Sequence, residues 1–333
     1  MNSPVAKTLY FKPKERNVFF HLLTACNLAC RHCYINPAQH GSNTLGKETI
    51  EDWLRLFYDP QKQSNVIFLG GEPTLHPDLA HSIKYARQLG YKGITVDSNG
   101  YLHHDLLANI TPEDAVISFS LDGPDPEVND PIRGPGVFAM CTANLKKAIN
   151  LGFDVSLIYT VSRLNLDHLH RMPALLAELG CKRFFIQVIG IRGKSAQEHE
   201  AKLQLTPEEW LSVIPDVARA AAAKGIHVIY PKVFLEPKEE FQCAGLVAEN
   251  YFIFPNGRVY LCPLCEDFPL HSFEIDDNKL VATRGINEKK LFSLTIPEGC
   301  VMNKLLQPGN LQYDKAGTPV HRISCCLLKQ EMR

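Results

Sequence analysis

The sequence predicts an α/β fold, a partial (β/α)6 barrel over residues 1–225 followed by a small cysteine-rich domain with a β-hairpin over residues 226–333. Three observations predict it. Apolar strands and amphipathic helical stretches alternate at about 30 residues per unit, the spacing of an eight-unit TIM barrel of about 250 residues, so six units make a TIM-like but partly open barrel. Chemistry-bearing segments recur at the C-terminal ends of the strands, where such barrels gather their active sites. Cysteine usage then changes, since six of the eleven cysteines fall after residue 225.

The first strand is expected near residues 18–23 and leads into Cys26, Cys30 and Cys33, with Tyr34 immediately after. A loop so short can fold three thiolates onto one cuboidal iron–sulfur cluster and leaves one iron for a ligand that is not protein. A zinc knuckle completed by His21 or His32 is the other reading. Zinc modules, however, pair their ligands at short range, and the next cysteine is Cys141. The second strand, near 65–69, ends in Gly70-Gly71-Glu72-Pro73, where paired glycines let backbone approach a ligand closely. The third, near 93–97, ends in Asp97-Ser-Asn-Gly100. The fourth, near 116–120, lies in Ser118-Phe-Ser-Leu-Asp-Gly123, with Pro131-Ile-Arg-Gly134 beyond it. Strands five and six are expected near 153–161 and 183–188. Between them Leu169, Met172, Leu175, Leu176 and Leu179 recur at helical spacing, a core face. A helix over 207–224, with Thr206 as N-cap and Gly225 as C-cap, ends the repeats.

The segment Thr24-Ala-Cys-Asn-Leu-Ala-Cys-Arg-His-Cys-Tyr34 resembles the signature of the radical S-adenosylmethionine (radical SAM) enzymes. The resemblance implies a [4Fe–4S] cluster on Cys26, Cys30 and Cys33 whose open iron is chelated by the amino and carboxylate groups of SAM. One electron then splits the sulfonium and releases a 5′-deoxyadenosyl radical that abstracts hydrogen from the substrate. It further implies that Gly70, Gly71, Glu72 and Pro73 hold the SAM ammonium. Ser98 and Asn99 reach the ribose or sulfonium side, Ser120 and Arg133 contact the SAM carboxylate, and Tyr34 stands beside the cluster. A guanidinium suits that contact because its fork can bind a carboxylate bidentately.

In the second domain, Tyr251-Phe-Ile-Phe254 and Arg258-Val-Tyr-Leu261 flank Pro255-Asn-Gly257, a hairpin signal. Cys243, Gly257 and Cys262 resemble the opening of the SPASM and twitch extensions, which carry auxiliary iron–sulfur clusters. Full SPASM domains have seven cysteines and usually two clusters. This segment has six and lacks the tight run of four after the hairpin. The expectation is a reduced, twitch-like arrangement with one auxiliary [4Fe–4S] cluster on Cys243, Cys262, Cys265 and either Cys325 or Cys326, with Cys300 the alternative. Adjacent residues of an extended chain point oppositely, so only one of that pair is expected to face the cluster. A zinc ribbon on the same residues is the competing reading. Cys141 and Cys181 are read as core thiols without function.

A formal net charge of −1 shows no basic excess for nucleic acid. No apolar segment approaches the ~20 residues that cross a bilayer. Eleven cysteines without a secretion signal predict a reducing cytoplasm and metal, not disulfides. His103-His104 and the His168, His170 pair are read as surface, and Arg192 to Leu203 as a loop beside the sixth strand. Strand-end positions make Asp97, Tyr159, Gln187 and Arg192 the proton-transfer candidates. Members with such extensions most often modify peptides or proteins. The resemblance therefore implies a peptide or protein substrate, a flavodoxin- or ferredoxin-type electron donor and, given the short N-terminal stretch, a separate recognition protein. Dehydrogenation of a small molecule or cofactor or tetrapyrrole biosynthesis is the alternative. A noncatalytic iron–sulfur electron carrier or metal-dependent regulator is the reading from another class, but such a protein needs no ammonium pocket.

Overall fold

The computed structural model describes residues 4–102, 105–196 and 203–333. His103-His104 and residues 197–202 of the polar stretch lie outside them. The strands are Lys7–Leu9 (β1), Glu15–His21 (β2), Gln63–Leu69 (β3), Gly93–Ser98 (β4), Val116–Ser120 (β5), Val155–Val161 (β6), Arg183–Val188 (β7) and His227–Pro231 (β8). They continue with Phe234–Leu235 (β9), Glu249–Ile253 (β10), Arg258–Tyr260 (β11), Phe273–Asp276 (β12), Lys279–Ala282 (β13), Arg322–Ile323 (β14) and Lys329–Met332 (β15).

β2 to β7 are the six expected strands, each followed by helix. They pair in parallel and in chain order, with His21 opposite Leu69, Phe68 opposite Val96 and Thr160 opposite Gln187. Burial alternates along them. Val66 and Phe68 of β3, and Val155, Leu157, Tyr159 and Val161 of β6, belong to one hydrophobic core, whereas their neighbours are half-buried. The period of two puts alternate side chains on opposite faces, so one set packs under the helices and the other lines the barrel interior.

Beyond the six units, β8 adds a seventh parallel strand beside β7. The helix Pro207–Ala222 leading to it starts as expected, with Thr206 and Glu209 forming a reciprocal capping box. Its cap residue is Ala223, and the chain turns through Gly225 at φ +76° into β8. The stretch 167–179 divides into a 3₁₀ segment, Leu166–Arg171, and an α-helix, Met172–Leu179. Pro173 explains the break, because it lacks an N–H and fits only the first helical turn.

Both edges of the parallel sheet are covered by the C-terminal part of the chain. β10 pairs in parallel with β2, and β15 pairs antiparallel with β8. The hairpin β10–β11 continues through β12 and β13, and the order β1-β15-β8-β7-β6-β5-β4-β3-β2-β10-β11-β12-β13 makes one thirteen-stranded sheet. An uncovered edge strand would leave unpaired backbone groups. The 225/226 division thus falls just before β8, and residues on both sides of it build the same sheet.

Candidate active site

The inward positions of the parallel strands surround a cavity of about 380 Å³, walled on one side by the cysteine loop and on another by the C-terminal segment. The cysteine loop is laid against the end of β3. Gly71 N donates to Leu23 O (2.9 Å) and Glu72 N to Ala25 O (3.0 Å). A Cβ on Gly71 would lie 2.3 Å from the Ala25 oxygen, and one on Gly70 2.8 Å from the Leu23 oxygen. These glycines therefore let the cysteine loop approach the strand. Arg31 N donates to Ile132 O (3.0 Å), tying the loop to the helix that carries Arg133. Cys26, Cys30 and Cys33 all line the cavity.

Glu72 is buried, and its carboxylate is held on every side. Oε1 accepts from Thr74 N (3.1 Å), Thr74 Oγ1 (2.7 Å) and Ser98 Oγ (2.9 Å), and Oε2 from Asn99 N (2.7 Å). Burial nevertheless pushes it above the usual carboxylate range. Ser98 is directed to Glu72, and Asn99 Nδ2 donates to Asn27 Oδ1 (2.8 Å) and lies 3.7 Å from Cys26 Sγ. The strand ends are thus bound to one another and to the first cysteine. Pro73 opens the short turn after Glu72 and is not among the residues lining the cavity.

Arg133 has a partner the sequence reading missed. Its Nε lies 2.6 Å from Asp122 Oδ2, and His32 Nε2 lies 3.1 Å from the same oxygen. Thr160 N donates to Asp122 Oδ1 (2.7 Å). Burial alone would raise the Asp122 carboxyl, but Arg133, His32 and the amide together hold it at about 2. The Arg133–Asp122 contact is an ion pair without hydrogen-bond alignment, and Arg133 Nε and His32 Nδ1 are buried without a hydrogen-bond partner. The signal for this pairing is the Asp at the end of an apolar strand in Ser120-Leu-Asp122.

The proton-transfer candidates separate. Asp97 and Gln187 line the cavity. Burial, opposed by a hydrogen bond from Ser118, lifts Asp97 to about 7. Tyr159 has the wrong parity: it is fully buried in the core and its hydroxyl donates to Asn165 O (2.8 Å), while Ile158 and Thr160 line the cavity. Arg192 is engaged in a latch. It donates to Pro263 O (2.7 Å), pairs with the buried Glu266, and sits 4.5 Å above the Tyr34 ring. Tyr34 in turn hydrogen-bonds His21 Nε2 (2.7 Å). Ser120 lines the cavity, and its carbonyl accepts from the Cys141 thiol (3.7 Å). Cys141 and Cys181 are core residues.

The later cysteines gather around a second, apolar pocket. Cys243, Cys262, Cys300, Cys325 and Cys326 line it, with Phe292 and Met302 among its apolar walls. Cys265 does not line it but interacts with Cys262, as Cys326 also does. Two expectations are corrected. Cys300 belongs to the set, placed as the N-cap of the helix Val301–Leu306. Cys325 and Cys326 both face the pocket, because Leu328 N donates to Cys325 O (2.9 Å) and closes a turn, so strand alternation does not apply. Cys326 also lines the barrel cavity, which places the two sites back to back.

The donor sets fit iron–sulfur ligation, since all eleven cysteines are free thiols and eight of the nine outside the barrel core border these two spaces. His32 Nδ1, buried without a hydrogen-bond partner, fits a polar ligand beside the three-cysteine loop. Among the described residues no three His, Cys, Asp or Glu side chains meet as a site for one metal ion.

Residues 21–176 match the family described as the Radical SAM superfamily. The mycofactocin maturase MftC of Mycobacterium ulcerans is 28% identical over 282 residues, covering 78% of this chain and 70% of that protein. An AdoMet-dependent heme synthase of Oleidesulfovibrio alaskensis is 29% identical over 197 residues, 56% of this chain and 48% of that protein. Among solved structures, Streptococcus suis SuiB bound to its precursor peptide SuiA superposes with a TM-score of 0.67 at 13% identity, over 88% of this chain and 71% of SuiB.

Proposed function

We propose that this chain, which belongs to the radical SAM superfamily, is a maturase that modifies a peptide or protein inside the barrel cavity. When bound at Cys26, Cys30 and Cys33, the superfamily's [4Fe–4S] cluster with SAM on its open iron supplies a 5′-deoxyadenosyl radical for hydrogen abstraction. The observation that carries the reading is the single cavity that has the cysteine loop on one wall and Cys326 of the C-terminal cysteine cluster on another. The substrate class is supported by MftC and by SuiB with its bound precursor peptide. A small-molecule reaction is the second reading, favoured by the heme synthase similarity. Anaerobic incubation of the reduced holoprotein with SAM and candidate peptides tests the first. A peptide mass change supports it, and turnover of a porphyrin with none of any peptide overturns it.

Glu72 and Arg133 act in this reading by fixing the SAM pocket. Glu72 ties the turn after β3 to the end of β4, and Asp122 and His32 hold the Arg133 guanidinium at the cavity wall. Glu72→Gln replaces one acceptor oxygen by a donor facing donors, and Asp122→Asn removes the counter-charge of a buried guanidinium. We expect SAM affinity to fall roughly ten- to a hundredfold in each, from about 1.5 to 3 kcal/mol per lost charged hydrogen-bond partner. Equilibrium SAM binding checks this. An affinity unchanged in both variants would show that neither group shapes the pocket.

Asp97 is the base we assign, because it lines the cavity and burial holds it near 7. A base works when ionised, so turnover should rise as pH passes upward through about 7 and level off above it. Asp97→Asn should flatten this rise and lower turnover by about 10²-fold or more. A pH profile with the same rise in the variant would assign it to another group. The remaining assignments are one auxiliary cluster of twitch type, an electron donor of flavodoxin or ferredoxin class, a separate peptide-recognition protein and a cytoplasmic setting. The cysteine count and the free thiols support the auxiliary cluster and a reducing setting. No helix among the described residues is long and apolar enough to cross a membrane.

A further inference from the structure

The wall of the cavity built by the C-terminal segment carries polar groups that none of the roles above uses. Asn303 and Gln307 stand four residues apart at the helix Val301–Leu306 and its C-cap, on one face, and both line the cavity with Asn310. Their orientations follow from one chain of hydrogen bonds. Gln204 Nε2 donates to Gln307 Oε1 (3.0 Å) and Asn310 Oδ1 (2.6 Å), and Asn310 Nδ2 donates to Asn303 Oδ1 (3.0 Å). Each of these carboxamide oxygens therefore accepts from the protein. The NH₂ groups of Asn303 and Gln307 are left as donors with no partner among the described residues, on residues 7% and 4% exposed.

The same wall holds Lys329. Its ammonium donates to Cys326 O (3.0 Å) and lies 5.1 Å from the centre of the Phe185 ring. Arg133 and Arg192 each have a carboxylate, Asp122 and Glu266, whereas Lys329 has no carboxylate partner among the described residues. Nearby on the wall, Ser324 is 3% exposed and its hydroxyl lacks a hydrogen-bond partner among the described residues. Among the described residues the unsatisfied groups of this wall include several donors, and Lys329, which stands beside Cys325 and Cys326, has no carboxylate to pair with. Buried polar groups need partners, so the missing partner is rich in acceptors and negatively charged.

We infer that this wall is a substrate subsite that takes a carboxylate at Lys329 and amide carbonyl oxygens at Asn303 and Gln307. The ligand class is a peptide carrying a carboxylate, as an acidic side chain or a free C-terminus. The inference rests on the peptide reading of the cavity and narrows it. No covalent step is involved, only charge and hydrogen-bond matching, with the carboxamides reading the backbone beside the charged group.

The test uses the reconstituted holoprotein with SAM. Probes are random hexapeptides made with a free C-terminal carboxylate or a C-terminal amide, together with succinate as a small dicarboxylate, and the bound fraction is read by mass spectrometry. Wild type should enrich free-carboxylate or Asp- and Glu-containing members about tenfold or more over neutral amides, the range of a charged hydrogen bond. Lys329→Met should remove that preference and Lys329→Arg should keep it. Gln307→Leu should weaken all peptides while keeping the preference for carboxylates. Peptide binding with no carboxylate preference in wild type overturns the subsite and leaves the peptide reading standing. Binding of succinate alone overturns the peptide reading and leaves the carboxylate site. A Lys329→Met protein that changes the cluster spectrum but keeps the preference would show that Lys329 serves the cysteine cluster, and the inference falls.

Discussion

Replacing Cys26, Cys30 and Cys33 together with Ala should abolish SAM cleavage and remove about four irons per chain, because a cuboidal cluster cannot persist without its thiolates. The fold should survive. The three thiols line a cavity and are not core packing, and the loop is held by backbone bonds from Gly71, Glu72 and Arg31. Circular dichroism and iron analysis on the same sample separate the two effects. Unchanged iron in a folded triple variant would remove these cysteines as ligands.

The second large effect is expected at the C-terminal cysteines. The turn at Cys325–Leu328 brings both Cys325 and Cys326 to the pocket, where Cys243, Cys262 and Cys300 also stand. Cys326→Ala should therefore bleach the auxiliary cluster spectrum and remove about four irons. Cys325→Ala, Cys300→Ala and Cys265→Ala should also disturb it, Cys265 through its interaction with Cys262. Loss of the cluster should loosen the segment that delivers β14 and β15, and so speed proteolysis near the C-terminus. A Cys326→Ala protein with a full complement of iron, or one zinc in place of the iron, would contradict the assignment.

The sequence made the barrel and its mouth legible because both are written locally. Apolar runs with a period of two mark β2 to β7, and glycines and polar residues mark where they end. What it hid is pairing across long separations. β8 is not marked as part of the barrel, because His227-Val-Ile-Tyr-Pro231 follows the apparent end of the repeats. Nothing local in Lys329–Met332 says that it covers β8, or in Glu249–Ile253 that it covers β2. Asp122 stands in a strand-end motif, and its charge pairing with Arg133 and His32 depends on three separate segments meeting. The strand-end position of Tyr159 does not give its parity, and a shift of one residue moves a side chain from cavity to core. Strand geometry separates Cys325 from Cys326, but the chain there makes a turn. Gly70 and Gly71 permit a close contact with the cysteine loop, a pairing that paired glycines alone do not specify.

The most direct measurement is 5′-deoxyadenosine formed per chain after anaerobic reconstitution, addition of SAM and reduction with dithionite. It is best made on the wild type and the Cys26, Cys30, Cys33 triple variant side by side. The wild type should release 5′-deoxyadenosine and methionine in equal amounts, and the triple variant neither. A wild-type protein that binds iron and sulfide in full but leaves SAM intact would contradict the account and return the chain to the class of electron carriers.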